Sequence, residues 1–91
     1  MAEEIILKIT GKVQGIFFRV NTKKIADQLN IKGYVKNEPD GSIKIVAQGQ
    51  TQALDKLADW CKTGPKLAKI EKVKKKVQPI KKTYDDFLII Y

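Results

Sequence analysis

Arg19 is the only arginine among the 18 basic residues of this chain; all the others are lysine. A chain that otherwise takes its positive charge from lysine and keeps one guanidinium points to a place where a planar fork matters, since that group binds two oxygens of a phosphate in parallel. The residues leading to it read Gly11-Lys12-Val13-Gln14-Gly15-Ile16-Phe17-Phe18-Arg19, and glycine reaches backbone angles closed to other residues. Successive N–H groups in such a turn, running into a helix N-terminus, form a concave anion site, and phosphate fits it. The second candidate is Asn37, just before Glu38-Pro39-Asp40-Gly41. A carboxamide can accept a hydrogen bond from water and donate another elsewhere, so it can aim a nucleophile without being a strong base.

The residue types that are missing narrow the reaction. There is no histidine for general base work, Ser42 is the only serine, and the single cysteine, Cys61, falls on an apolar helical stripe. No covalent nucleophile is well placed. A site limited to positioning and electrostatics acts best on a substrate that already carries a good leaving group. A carboxylate leaving phosphorus is one, so an acyl phosphate is plausible where an alkyl phosphate monoester is not. Without histidine, and with one cysteine, usable transition-metal ligands are few, and neither metal nor cofactor is expected.

The elements that must position these groups follow from hydrophobic period. Ile5, Leu7, Ile9 and Val13 share one face of a first strand, opposite Lys8, Thr10 and Lys12. Residues 15–19 read as a tight loop. A helix is expected from about Asn21 or Thr22, either of which could cap it, with Ile25, Ala26 and Leu29 on one face and Gly33 as a stop signal. Residues 33–37 and 42–48 form a hairpin around Pro39 and Gly41, the second strand burying one face through Ile43, Ile45 and Ala47. Leu54, Leu57, Ala58 and Cys61 define a second helix, closed by Gly64-Pro65. Strands at Ile70 to Val77 and at the end of the chain, where Phe87, Ile89 and Tyr91 alternate with Leu88 and Ile90, complete the order. The pattern is an α+β, ferredoxin-like βαββαβ sandwich: a mostly antiparallel sheet of four to five strands with two helices on one face.

In this topology the first and second strands run parallel, with the third between them, so their carboxyl ends share one edge of the sheet. The loop carrying Arg19 leaves the first strand there, and Asn37 ends the second at the same edge, two strand spacings or about 10 Å across. Residues far apart in sequence thus meet around one concavity.

The chain has 91 residues, 43% hydrophobic, with a formal charge of +8. One domain spanning residues 1–91 is expected, with one core, and the charge favours anionic partners without choosing among them. No apolar run approaches the ~20 residues that cross a bilayer. The acidic start Met1-Ala2-Glu3-Glu4 lacks the order of a secretory signal, and an unpaired cysteine suits a reducing compartment, so a cytoplasmic protein is expected.

Two stretches bear a family resemblance. Gly11 to Arg19 resembles the first acylphosphatase signature, and Gly33-Tyr34-Val35-Lys36-Asn37-Glu38-Pro39-Asp40-Gly41-Ser42-Ile43, ending at Gly49, resembles the second. Gly64-Pro65 with Ala68 and Ile70, and the ending Phe87 to Tyr91, are similar to the family's later segments. The resemblance implies a phosphate-binding loop at Gln14, Gly15, Ile16, Phe17, Phe18 and Arg19, with Arg19 gripping the phosphate and Asn37 orienting the attacking water. It also implies hydrolysis without metal or phosphoenzyme, on substrates such as carbamoyl phosphate, acetyl phosphate and 1,3-bisphosphoglycerate. One departure lies after the arginine, where Val20-Asn21 occupies a region that often holds an aromatic residue.

Blander readings stand beside these. Residues 15–19 could be a strand-to-helix turn ending in a surface arginine, and Asn37 a turn-initiating residue. One or both of Phe17 and Phe18 read as core anchors for the loop rather than recognition groups, Trp60 as partial packing, and Lys74-Lys75-Lys76 as a guard against edge pairing. The rival function is a basic nucleic-acid-binding module, since RNA-recognition domains share this order of elements. Neither central strand carries the aromatic residues a stacking platform needs, so nucleic acid is not an expected partner. A non-catalytic anion sensor on the same fold would differ only in turnover. A monomer acting on a free acyl phosphate, with no membrane partner, is the expectation.

Overall fold

A computed structural model describes residues 2–91. Its elements are β1 (Ala2–Lys12), α1 (Phe18–Gln28), β2 (Lys32–Asn37), β3 (Ile43–Gln50), α2 (Thr51–Thr63), β4 (Lys69–Gln78) and β5 (Phe87–Ile90). The sheet order is β4-β1-β3-β2-β5. Only the β2/β5 pair is parallel. This is the expected ferredoxin-like arrangement, with a fifth strand added at the β2 edge. β1 and β2 are each antiparallel to β3 between them. They therefore point the same way and release the loop and Asn37 at one edge.

The alternation read from β1 is the physical cause of its placement. Ile5, Leu7 and Ile9 are fully buried, and Ile43, Ile45 and Ala47 of β3 lie opposite them in register. Leu54, Leu57, Ala58 and Cys61 of α2 close over this layer, so a single apolar core lies between sheet and helices. Among the described residues no helix is long and apolar enough to cross a membrane.

Three local features differ from the sequence expectation. First, α1 begins at Phe18, and neither Asn21 nor Thr22 caps it. Both side chains bond back within the helix, Asn21 Nδ2 donating to the Phe17 carbonyl at 2.9 Å and Thr22 Oγ1 to the Phe18 carbonyl at 2.8 Å. The chain turns through a left-handed Phe17, φ 61°, and this turn drops Phe18 into the core and starts the helix before any capping side chain is reached.

Second, β3 is buried on both faces, since Val46 and Gln48 are covered as well as Ile45 and Ala47. β4 and β5 occupy opposite edges of the sheet, so the segment joining them must cross it. Residues 79–84 lie across the face away from the helices, tied down where the Tyr84 amide donates to Gln48 Oε1 at 3.2 Å and Gln48 Nε2 donates to the Lys82 carbonyl. Third, Gly11 serves the sheet rather than the loop. A Cβ there would lie 2.1 Å from the Lys69 carbonyl oxygen, where β1 and β4 shift register between Thr10 and Gly11.

Candidate active site

A cavity of about 310 Å³ opens at the carboxyl ends of β1 and β2, lined by Gly15, Phe17, Phe18, Arg19 and Asn37 and walled by Val13, Val20, Ile89 and Tyr91. The sole arginine and the asparagine 18 positions away thus face one space.

The loop is built by alternation. Gln14, Ile16 and Phe18 anchor it, and Gly15, Phe17 and Arg19 face the cavity. Gln14 Nε2 donates to two carbonyls of the β2–β3 hairpin, Glu38 at 2.8 Å and Ser42 at 2.9 Å, which ties the loop to the turn that follows Asn37. Ile16 packs against the core. Phe18 is 2% exposed and meets Trp60 with ring centroids 5.4 Å apart. Phe17, by contrast, is 76% exposed. The anchor role expected of one or both phenylalanines therefore falls to Phe18 alone, while Phe17 stands at the rim.

Two left-handed residues shape the turn, Gly15 at φ 76° and Phe17 at φ 61°. For Gly15 the angle is the whole reason for glycine, because an added Cβ would meet nothing within 4 Å. For Phe17 the angle is a cost of about 1–3 kcal/mol held by the anchors on either side. A left-handed turn running into a helix N-terminus is an arrangement that favours an anion.

Arg19 lies in the first turn of α1 and is held by the end of the chain. Its Nη1 donates to the Ile90 carbonyl at 3.0 Å, and its guanidinium carbon sits 4.9 Å from the centroid of the Tyr91 ring. Both contacts orient the fork, and the cation–π contact contributes about 0.5–1 kcal/mol at an exposed site. Sequence reasoning missed Tyr91 and Ile89 as walls of the site. Their aromatic and β-branched types were visible, but only the parallel β2/β5 pairing puts them beside α1.

Asn37 ends β2, paired with Ile43. Its Oδ1 is buried and, among the described residues, has no hydrogen-bond partner. An acceptor in that state costs about 1–3 kcal/mol unless a donor reaches it. The hairpin beyond it is closed without its help: Asp40 Oδ1 accepts from the Ser42 hydroxyl at 2.6 Å and the Ser42 amide at 2.9 Å. Those bonds, together with Lys8 at 3.0 Å, hold the Asp40 carboxyl well below the usual carboxylate range. Asn37 is thus not the side chain that stabilises the turn.

Two other places fail as reaction centres. Cys61 is fully buried, and burial pushes its thiol up to about 12, so it is no nucleophile. A larger open cleft of about 770 Å³ at the opposite end of the sheet is lined, among the described residues, by one ionisable group, Glu3, and by no lysine or arginine to receive a phosphate.

Comparison with known proteins shows the family. The acylphosphatase family model matches residues 5–89. An acylphosphatase of Archaeoglobus fulgidus is 43% identical over 83 residues, which are 91% of this chain and 92% of that protein. One from Syntrophus aciditrophicus is 35% identical over 91 residues, covering 100% of this chain and 95% of that protein. The solved structure of an acylphosphatase from Coxiella burnetii superposes with a TM-score of 0.93 at 32% identity, over 98% of this chain and 93% of that one. The chain belongs to the acylphosphatase family.

Proposed function

We propose that the cavity between the 15–19 turn and Asn37 hydrolyses acyl phosphates to a carboxylate and inorganic phosphate. Arg19 and the main-chain N–H groups of the turn bind the phosphoryl oxygens, and the charge that develops on them in the transition state meets donors already in place. Asn37 Oδ1 accepts a hydrogen bond from a water molecule and holds it in line with phosphorus. The water oxygen forms the new P–O bond, the P–O bond to the acyl group breaks, and its electron pair leaves on the carboxylate. The water's protons pass to phosphate and solvent. Because the leaving carboxylate is a weak base, no general acid is required.

One observation carries this reading: Asn37, whose buried Oδ1 has no hydrogen-bond partner among the described residues, and the sole arginine line the same small cavity beside a left-handed turn. The exposed Phe17 and Val20 and the Tyr91 ring form its rim, against which the acyl group rests. Residues 1–91 act as one unit, as a monomer in the cytoplasm, without metal or cofactor and on free small molecules. In support, the two central strands carry no aromatic residue, so they lack the stacking platform of an RNA-recognition domain. The test is direct: purified protein mixed with acetyl phosphate or benzoyl phosphate releases phosphate catalytically, and stoichiometric binding without turnover would leave only an anion sensor.

A further inference from the structure

On the face of the sheet away from the helices, register aligns Lys74, Lys8, Lys44 and Lys36 in one row across β4, β1, β3 and β2. Like charges directly opposite one another are destabilising. Two of the row are neutralised, Lys8 by Asp40 at 3.0 Å and Lys36 by Glu38 at 3.8 Å. Lys44 stands between them with no ion pair, and neither Lys74 nor Lys76 has one among the described residues.

Of this row, Lys44 also borders a pocket beside the crossing segment. Between that segment and the sheet lies a cavity of about 470 Å³ whose lining includes Lys44, Lys76, Lys81 and Lys82, together with Tyr34, Tyr84, Ile6 and Val46. The tyrosine rings meet edge-on at 5.8 Å, which fixes the wall, and Lys82 lies 5.4 Å from the centre of the Tyr84 ring. The one carboxylate of the lining, Glu4, is buried and already bonded by Gln48 Nε2 at 2.7 Å and by Gln78 Nε2. Four cations therefore face one carboxylate that is committed elsewhere.

We infer that this cavity is a second anion site, separate from the catalytic one, that takes a small oligophosphate, either inorganic or carried by a nucleoside. Lysines contributed by β3, β4 and the crossing segment suit a chain of two or three phosphates, which can meet several of them at once, better than a single phosphate. The apolar floor and tyrosine wall leave room for a nucleoside. A long polymer is disfavoured because residues 79–84 close one end of the sheet face.

Calorimetric titration with inorganic triphosphate and with adenosine triphosphate tests the assignment, with inorganic phosphate present to occupy the catalytic cavity. One molecule is expected to bind per chain, and Lys44→Ala/Lys76→Ala is expected to weaken it at least about tenfold while leaving acyl phosphate hydrolysis unchanged. Lys81→Ala/Lys82→Ala, which alters the crossing segment instead of the strands, provides the same readout if the first variant fails to fold. The control Lys24→Ala/Lys56→Ala removes equal charge from the exposed surfaces of the two helices and keeps the binding. Tighter binding of the nucleotide assigns its nucleoside to the tyrosine wall, and equal affinities assign the phosphate chain alone; either supports the site. Absence of binding, an equal loss in the control variant, or NMR shifts confined to residues 15–19 and Asn37 would overturn it.

Discussion

Replacing Asn37 by alanine is expected to abolish hydrolysis and at the same time make the protein more stable. Asn37 Oδ1 is buried with no hydrogen-bond partner among the described residues, so folding strips solvent from an acceptor that gains no protein donor there. If a water is held there, its immobilisation costs up to ~2 kcal/mol, and an unsatisfied acceptor costs a similar amount. Alanine removes that acceptor and keeps the main-chain pairing with Ile43. Both residue types are poor strand formers, so the propensity change is small. The balance is a gain of about 1 kcal/mol, which for a domain of this size raises Tm by about 4–8 °C. The activity runs the other way, since losing the aim of the nucleophile costs on the order of 10²-fold or more. Thermal unfolding followed by circular dichroism reads the first quantity, phosphate release from benzoyl phosphate the second, and inorganic phosphate binding should persist because the anion cradle is untouched. A fall in Tm of several degrees with hydrolysis largely retained would refute the reasoning and return Asn37 to the role of a turn residue.

Arg19→Lys keeps the charge but loses the fork and its bond to the Ile90 carbonyl, and turnover should drop at least ~10²-fold; near-normal kcat would reject the assigned role. The neighbouring phenylalanines should behave oppositely in urea denaturation. Phe18→Ala opens the core beside Trp60 and costs about 3–5 kcal/mol, whereas Phe17→Gly relieves the left-handed strain, offsets the extra freedom of the unfolded chain and changes stability by less than about 1 kcal/mol. Asp40 makes stability depend on acid. Its folded pKa lies below its ordinary value of 3.8, so its contribution is present above that pH and is lost as pH falls through the lower folded value. The Tm gap between the wild type and Asp40→Asn should therefore narrow below about pH 4, and a gap that widens there would contradict the assignment.

That Arg19 and Asn37 line one cavity was legible because of their types and positions. A sole guanidinium after a glycine turn and a carboxamide at a strand end stand out in a lysine-rich chain, and strand order alone brings them to one edge. The alternation of Ile5, Leu7 and Ile9 and the spacing of Leu54, Leu57, Ala58 and Cys61 likewise set which faces are buried, because burial of a periodic apolar face dominates local preference. The start of α1 was misread for a related reason. Asn21 and Thr22 are good capping types, but the helix is started by the descent of Phe18 into the core, a tertiary event that overrides capping.

What sequence alone determined is thus the period of each element, and with it the topology and the two groups at its shared edge, since these depend on neighbours close along the chain. What the tertiary structure decided is everything that depends on contacts between distant segments. Phe17 is left at the rim while Phe18 is swallowed; Tyr91 and the Ile90 carbonyl clasp Arg19 from 71 or more residues away; and residues 79–84 cross β3 to bury Val46 and enclose a lysine pocket. No period or motif encodes such meetings, because they follow from which strand lies at which edge and from the path a connection must take between them.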